Sequence, residues 1–210
     1  MQKRMRRAAS LCMTCLTLAA ASLLLAGCGE SKEAKEARMQ GIGQVEAEQF
    51  EAAIASFDTA LEHADGVVDE FELDILKYRG EAEYRLGDYE AAAHTYGILA
   101  DVDDARPEYL EYQTRAEVQV YNQQGVRLLK EGSAGEALAA FEEGRALLQE
   151  GNIEDTALEA VLTYNIGAVY EAQGDFAKAL EQFRSYVSDH GTTPELEKEI
   201  VFLESRLTEE

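Results

Sequence analysis

The sequence predicts an all-α fold in which pairs of helices repeat along the chain. The first observation is a set of glycine, alanine and aromatic residues that recurs four times at fixed spacing. The second is a pair of Gly-Asp-aromatic triplets, at Gly87 and Gly174, which are typical of turns between two helices. The third is the last segment, where Thr193 and Pro194 precede apolar residues at helical spacing.

The chain begins with a basic segment that is followed by an apolar one. Residues 1–7 contain four basic residues and no acidic residue, and residues 8–26 are apolar apart from Ser and Thr. This arrangement is typical of a secretory signal. A transmembrane helix is the alternative, because the apolar segment approaches the roughly 20 residues that span a bilayer.

The end of this segment favours the secretory signal. It is Leu25-Ala26-Gly27-Cys28, which resembles the lipobox of bacterial lipoproteins. The resemblance implies that residues 1–27 are cleaved off, that Cys28 carries a diacylglyceryl group, and that its new amino group is often acylated too. Since Gly29 is not the Asp linked to inner-membrane retention, we expect a lipid-anchored protein on the extracytoplasmic face of the cell membrane, or in the outer membrane where one exists.

Charge and cysteine content limit the partners of the mature chain. It would keep all 41 acidic residues but only 15 of the 19 basic ones, and such a surface repels nucleic acid and anionic lipid head groups. Membrane attachment would therefore depend on the lipid, for which two acyl chains suffice. Cys12 and Cys15 lie in the cleaved segment, so the C-x-x-C spacing that can indicate a metal or redox site has no such meaning here.

The repeat has a direct physical interpretation. In every copy a glycine precedes an alanine by 12 residues and an aromatic residue by 16. The glycine lets a second helix approach closely, and the alanine and the aromatic residue share one face of that helix. The four copies are Gly41, Ala53 and Phe57; Gly80, Ala92 and Tyr96; Gly125, Ala137 and Phe141; and Gly167, Ala179 and Phe183.

This pattern resembles the tetratricopeptide repeat, a helix–turn–helix unit. The resemblance implies a right-handed α-solenoid of about four helix pairs plus a C-terminal capping helix. It divides the chain into a signal peptide (1–27), a lipidated tether (28–36), repeats (37–190) and the capping helix (191–210). The tryptophan and the closing proline of the family are missing, and the glycines are 39, 45 and 42 residues apart where the family has 34. We expect the extra residues to lengthen the first helix of the later repeats.

The resemblance also implies a binding groove, lined by the first helix of each pair, in which an extended peptide would contact Asn, Arg and Tyr side chains. The alternative is that the basic residues there are ordinary helix-surface charges paired with nearby glutamates. The groove candidates are Arg38, Lys77, Tyr84, Arg85, Asn122, Lys130, Tyr164 and Asn165.

No catalytic or metal-binding pattern accompanies the repeat. The three histidines lack a ligand at the spacing that metals require, and no nucleophile or phosphate-binding motif is present. We therefore expect a non-enzymatic lipoprotein, without metal or cofactor other than its lipid, that binds an envelope protein or peptide. The alternatives are an accessory or substrate-binding lipoprotein for a small molecule or glycan, and a self-assembling structural subunit; the sequence leaves the partner and the oligomeric state open.

Overall fold

The computed structural model describes residues 30–64, 66 and 68–208. These residues form nine helices and no strand, and Cys28 and the predicted signal peptide (1–27) lie outside them. The helices are α1 (Lys32–Glu46), α2 (Phe50–Glu62), α3 (Glu70–Leu86), α4 (Tyr89–Val102), α5 (Pro107–Lys130), α6 (Ala134–Glu150), α7 (Thr156–Ala172), α8 (Phe176–His190) and α9 (Pro194–Thr208).

Each helix packs against the next along the chain, α1 also lies beside α3, and α5 lies beside α7. Helices α1 to α8 thus form four consecutive pairs, and α9 packs against α8. This order of contacts is that of an all-α solenoid, in which each unit touches its neighbours in sequence. The predicted fold class is confirmed.

The turns within the pairs follow the predicted chemistry. Gly87 ends α3 in the left-handed conformation, with φ of 89°, and the Asp88 carboxylate then accepts a hydrogen bond from the Ala91 amide at 3.2 Å. Gly174 has φ of 77°, and Asp175 caps α8 in the same way through the Lys178 amide. A glycine that closes one helix and an aspartate that opens the next therefore set each of these turns.

Each repeat glycine receives the aromatic ring of its own pair. A Cβ atom placed on Gly41 would lie 2.5 Å from Cε1 of Phe57, and one on Gly125 would lie 2.5 Å from Cε1 of Phe141. Gly80 and Gly167 meet their rings at 2.7 Å in the same sense. Each repeat glycine therefore leaves a notch in its helix, which is the space of the missing side chain. The aromatic ring 16 residues later in the sequence fills this notch.

The start of the first helix differs from the predicted boundary of the tether. Helix α1 begins at Lys32, inside segment 28–36, because the Ser31 hydroxyl accepts a hydrogen bond from the Ala34 amide at 2.9 Å. The same hydroxyl donates to the backbone oxygen of His63 at the end of α2. Since Ala34 is fully buried, most of the described part of this segment belongs to the solenoid.

The expected lengthening of the first helices is marked only in the third repeat, because α3 and α7 are each just two residues longer than α1. Helix α1 has 15 residues, α3 and α7 have 17, and α5 has 24. Pro107 occupies the first turn of α5, where its missing amide hydrogen is not needed. Among the described residues, no helix is long and apolar enough to cross a membrane.

One charged network lies inside the solenoid, where the sequence pattern gives no indication of it. The Glu83 side chain on α3 is 2% exposed, forms an ion pair with Arg79 Nη1 at 2.5 Å and accepts a hydrogen bond from the Thr95 hydroxyl at 2.7 Å. Arg79 also donates through Nε to Asp58 on α2. Burial raises the pKa of Glu83, and the two donors act in the opposite direction. The network joins α2, α3 and α4.

Two glycines of α1 provide a test of the notch. A Cβ atom at Gly41 would overlap the buried Phe57 ring, whereas one at Gly43 meets nothing within 4 Å. We expect Gly41→Ala to lower the free energy of unfolding by about 1–3 kcal/mol through overpacking. Gly43→Ala should raise it by up to about 1 kcal/mol, because alanine favours the helix. Urea denaturation followed by circular dichroism measures both, and equal effects of the two variants would contradict the notch.

Candidate protein-binding surface

The first helices of the four pairs present one continuous surface, which we call the first-helix face. Its members touch from one repeat to the next. Arg38 Nε on α1 lies 2.6 Å from Asp74 Oδ2 on α3, and Asn165 Nδ2 on α7 lies 2.8 Å from Asn122 Oδ1 on α5. Between them, the Tyr84 hydroxyl on α3 is hydrogen-bonded to the Gln119 side chain on α5. These contacts place candidates from all four repeats on a common side of the solenoid.

The two arginines among the candidates are bound to carboxylates of the same chain. Arg38 forms a second contact to Asp74 through Nη2 at 2.5 Å. Arg85 lies 3.3 Å from Glu48 and 3.8 Å from Glu81, and its guanidinium lies 4.7 Å from the centroid of the Phe50 ring. For these two residues the structure therefore agrees with paired surface charges, and both join α3 to the first repeat.

The two lysines among the candidates are in a different situation. Lys77 and Lys130 are exposed, and neither has an ion pair or hydrogen bond from its side chain to any described residue. Lys130 borders a cavity of about 370 Å³ on α5, which Asn122, Val126 and Arg127 also line. An open cation beside a cavity can bind an acidic or carbonyl oxygen of a partner, and a long lysine side chain can adapt to it.

The tyrosines and asparagines among the candidates are held by contacts with other residues of the chain. Tyr84 is half-buried and meets the Tyr89 ring edge-on at 5.1 Å, and burial raises the pKa of its hydroxyl. The Tyr164 side chain is 45% exposed and rests on the rings of Phe183 and Tyr186. Because Asn122 and Asn165 are hydrogen-bonded to each other, a partner would meet this amide pair as a unit.

A pair of glutamate side chains lies at the C-terminal end of the first-helix face. Glu171 lies on α7, four residues after the repeat glycine, and faces Glu199 of α9. Burial raises the pKa of Glu171, and the charge of Glu199 and a hydrogen bond with its side chain raise it further. One carboxylate oxygen of Glu199 is buried without a hydrogen-bond partner. Sequence reasoning missed this pair because the two residues meet only when α9 packs onto the solenoid.

A polar cavity of about 680 Å³ lies away from the first-helix face, between α6, α7 and α8. Arg145 lines it, donating from Nη2 to the Thr163 hydroxyl at 3.3 Å, while its Nε is buried without a hydrogen-bond partner. His190 and Asp189 border the same cavity. Within the described part of the chain, no group of three or more His, Cys, Asp and Glu side chains could hold a metal ion.

Comparisons with known proteins bear on the fold alone. No family model and no curated protein matches this sequence. Among solved structures, the chain is similar to the apo form of RapI, with 17% identity and a TM-score of 0.50. The similarity covers 84% of this chain and 49% of RapI, so this chain spans about half the length of that protein. Together with the glycine notches and the helix pairs, this likeness supports an all-α solenoid of helix pairs. The spacing within each pair resembles that of a tetratricopeptide repeat.

Two other solved structures are similar at lower TM-scores. MamA from Desulfovibrio magneticus RS-1, from residue 41 to its end, has 17% identity and a TM-score of 0.43, with coverage of 86% of this chain and 88% of MamA. A thermophilic tetratricopeptide-repeat protein of Thermus thermophilus has 18% identity and a TM-score of 0.38, with coverage of 83% of this chain and 82% of that protein.

The Glu171–Glu199 pair predicts a pH-dependent term in stability. The pKa of Glu171 is raised above its ordinary value of 4.5, so this group stabilises the fold fully below that value and loses the effect as the pH rises through the folded-state pKa. Relative to Glu171→Gln, the free energy of unfolding of the wild-type protein should therefore fall as the pH rises above about 4.5.

Chemical denaturation of both proteins at several pH values from about 4.5 upward measures this difference. The contributions of carboxylates that do not contact Glu171 are the same in both proteins and cancel. Glu197→Gln is the matched control, because this glutamate lies on the exposed side of the same helix α9. With this control as the reference, the Glu171→Gln difference should still change with pH. Parallel stability curves for Glu171→Gln and the wild-type protein would contradict the assignment.

Proposed function

We propose that this protein is a bacterial lipoprotein that binds a protein or peptide partner on its first-helix face. Cys28 anchors it to the extracytoplasmic side of the membrane, and the solenoid acts as a scaffold in the cell envelope. Two separate lines of support lead to this proposal, one for the anchor and one for the binding surface.

The anchor is supported by the sequence around Cys28. A basic segment, an apolar segment and the Leu-Ala-Gly-Cys sequence follow each other in the order that a lipoprotein signal requires. The chain has a formal net charge of −22, so its protein surface is repelled by anionic head groups. A lipid on Cys28 supplies the membrane affinity that the rest of the chain lacks.

The observation that carries the binding function is the distribution of unpaired cations. Among the described residues, four Lys and Arg side chains have no carboxylate within 4.0 Å: Lys77, Arg127, Lys130 and Lys198. Two of them are first-helix-face candidates, and Arg127 lines the same cavity as Lys130. In a chain with 41 acidic residues, cations kept free of intramolecular carboxylates remain available to a partner. The partner we propose therefore presents acidic side chains or a terminal carboxylate.

Cys28→Ala tests the anchor. We expect it to abolish labelling by a fatty-acid analogue and to move the protein from the membrane fraction to the soluble or uncleaved pool, because the thiol that accepts the lipid is gone. Cys15→Ala, in the same segment, should leave both properties unchanged. Full membrane association and unchanged mass of the Cys28→Ala protein would refute the anchor.

Lys77→Glu combined with Lys130→Glu tests the surface. Neither lysine holds another residue in place, so the fold should survive while the surface becomes repulsive to an acidic partner. Crosslinking and affinity purification from cell envelopes should recover the partner with the wild-type protein and lose it with the double variant. Lys32→Glu with Lys35→Glu makes the same change in net charge at lysines already paired with Glu36 and Glu30, and it should retain the partner. Recovery of the same proteins by all three forms would contradict the proposed surface.

A further inference from the structure

A long groove runs along the side of α5 that is opposite to the first-helix face, and we call it the outer groove. It consists of two cavities of about 610 and 530 Å³ that share Leu147 of α6 as a lining residue. Its floor is a single face of α5, on which residues recur every three or four positions over about 26 Å. The floor residues are Pro107, Leu110, Thr114, Glu117, Val120, Tyr121 and Gln124.

The length of α5 explains why this groove is open. Helix α5 begins 18 residues before its repeat glycine, whereas α1 begins nine residues before its own. Leu110 lies in this additional part and its side chain is 60% exposed. With the half-buried Leu147 and Ile153, it forms an apolar strip of the kind that marks interaction sites.

The charges around the strip are of one sign. Five glutamates line the outer groove: Glu90, Glu108, Glu111, Glu117 and Glu150. Of these, Glu111 is paired with Arg115 at 2.6 Å, and the other four have no ion pair to a described residue. No Lys or Arg of the described chain lines either cavity. The groove is therefore complementary to a segment that combines apolar side chains with Lys or Arg.

The groove favours a helical occupant over an extended one. Its walls are helices α4 and α6, whose backbone groups are already hydrogen-bonded within each helix. An extended segment would find almost no backbone partners there, whereas a helix satisfies its own amides and carbonyls. A second copy of this chain fits poorly, because a chain of net charge −22 would bring more carboxylates to a groove that already has five.

We propose that the outer groove docks a basic amphipathic helix of a partner protein. Leu110 and Leu147 receive its apolar side chains, and the glutamates pair with its Lys or Arg residues. This site is separate from the first-helix face, and its glutamates contrast with the unpaired Lys77 and Lys130 there, so it does not depend on the proposed function. The protein would then bind two chemically different partners on two sides of α5.

A designed helix provides the probe. We would measure, by fluorescence anisotropy, the binding of a labelled peptide of about 14 Leu and Lys residues with leucines on one helical face. A peptide of the same composition with scrambled leucines should bind at least about fivefold more weakly, and so should a Leu/Glu peptide, because one loses the apolar face and the other the charge complementarity.

Leu110→Arg tests whether the peptide binds in the outer groove. This variant should weaken Leu/Lys binding at least about fivefold, since it places a cation on the apolar strip. Val201→Arg on α9 is the matched control, because that side chain is 63% exposed and the change in net charge is identical. It should bind within about twofold of the wild-type protein. The Lys77→Glu and Lys130→Glu variant should also keep the peptide, which separates this site from the first-helix face.

Three outcomes would overturn the proposal. The first is an equal loss of binding in Leu110→Arg and Val201→Arg, which would mean attraction to net charge alone. The second is equal binding of the scrambled peptide. The third is a wild-type dimer, detected by light scattering, that Leu110→Arg converts to a monomer, since the groove would then belong to a second copy of this chain. Thermal unfolding of each variant checks that the fold is intact.

Discussion

The insertion of an aromatic ring into a glycine notch is the contact on which the solenoid depends. It occurs once in each helix pair, always between residues 16 apart. Because the ring occupies the place of a missing side chain, the two helices can approach only at that position and in that register. The turn between them must then have a length that brings the ring to the notch. The positions of the first helices, and with them the first-helix face, follow from this contact.

Arginine and lysine have different roles on this framework. Several arginines join helices: Arg38 binds Asp74 on the next first helix, and Arg79 connects α2, α3 and α4. A planar guanidinium can hold two or three oxygens at once, which suits a fixed contact between repeats. Lys77 and Lys130 hold nothing within the described chain and extend into solvent. Among the candidates on the first-helix face, the residue type therefore separates the cations that are paired within the chain, Arg38 and Arg85, from those that can meet a partner, Lys77 and Lys130.

Local features were predictable from the sequence because they depend on residues close together in the chain. The notches, the Gly87 and Gly174 turns, and the lengthened α5 all arise from short-range spacing and capping. Features that require two helices to be placed relative to each other were not predictable. Arg38 and Asp74 are 36 residues apart, and the burial of Glu83 depends on α2 and α4 together. The outer groove could not be predicted for the same reason. Its floor is one face of α5, which becomes a groove only when α6 packs beside it.

The early start of α1 has a consequence for how the solenoid would stand at a membrane. If Cys28 carries the lipid, three residues separate it from Lys32, and a segment of that length extends at most about 11 Å. Ser31 is also fixed to the end of α2 through the backbone oxygen of His63, which shortens the free length further. The first repeat would then be held close to the bilayer surface, and a partner would have to approach the protein there.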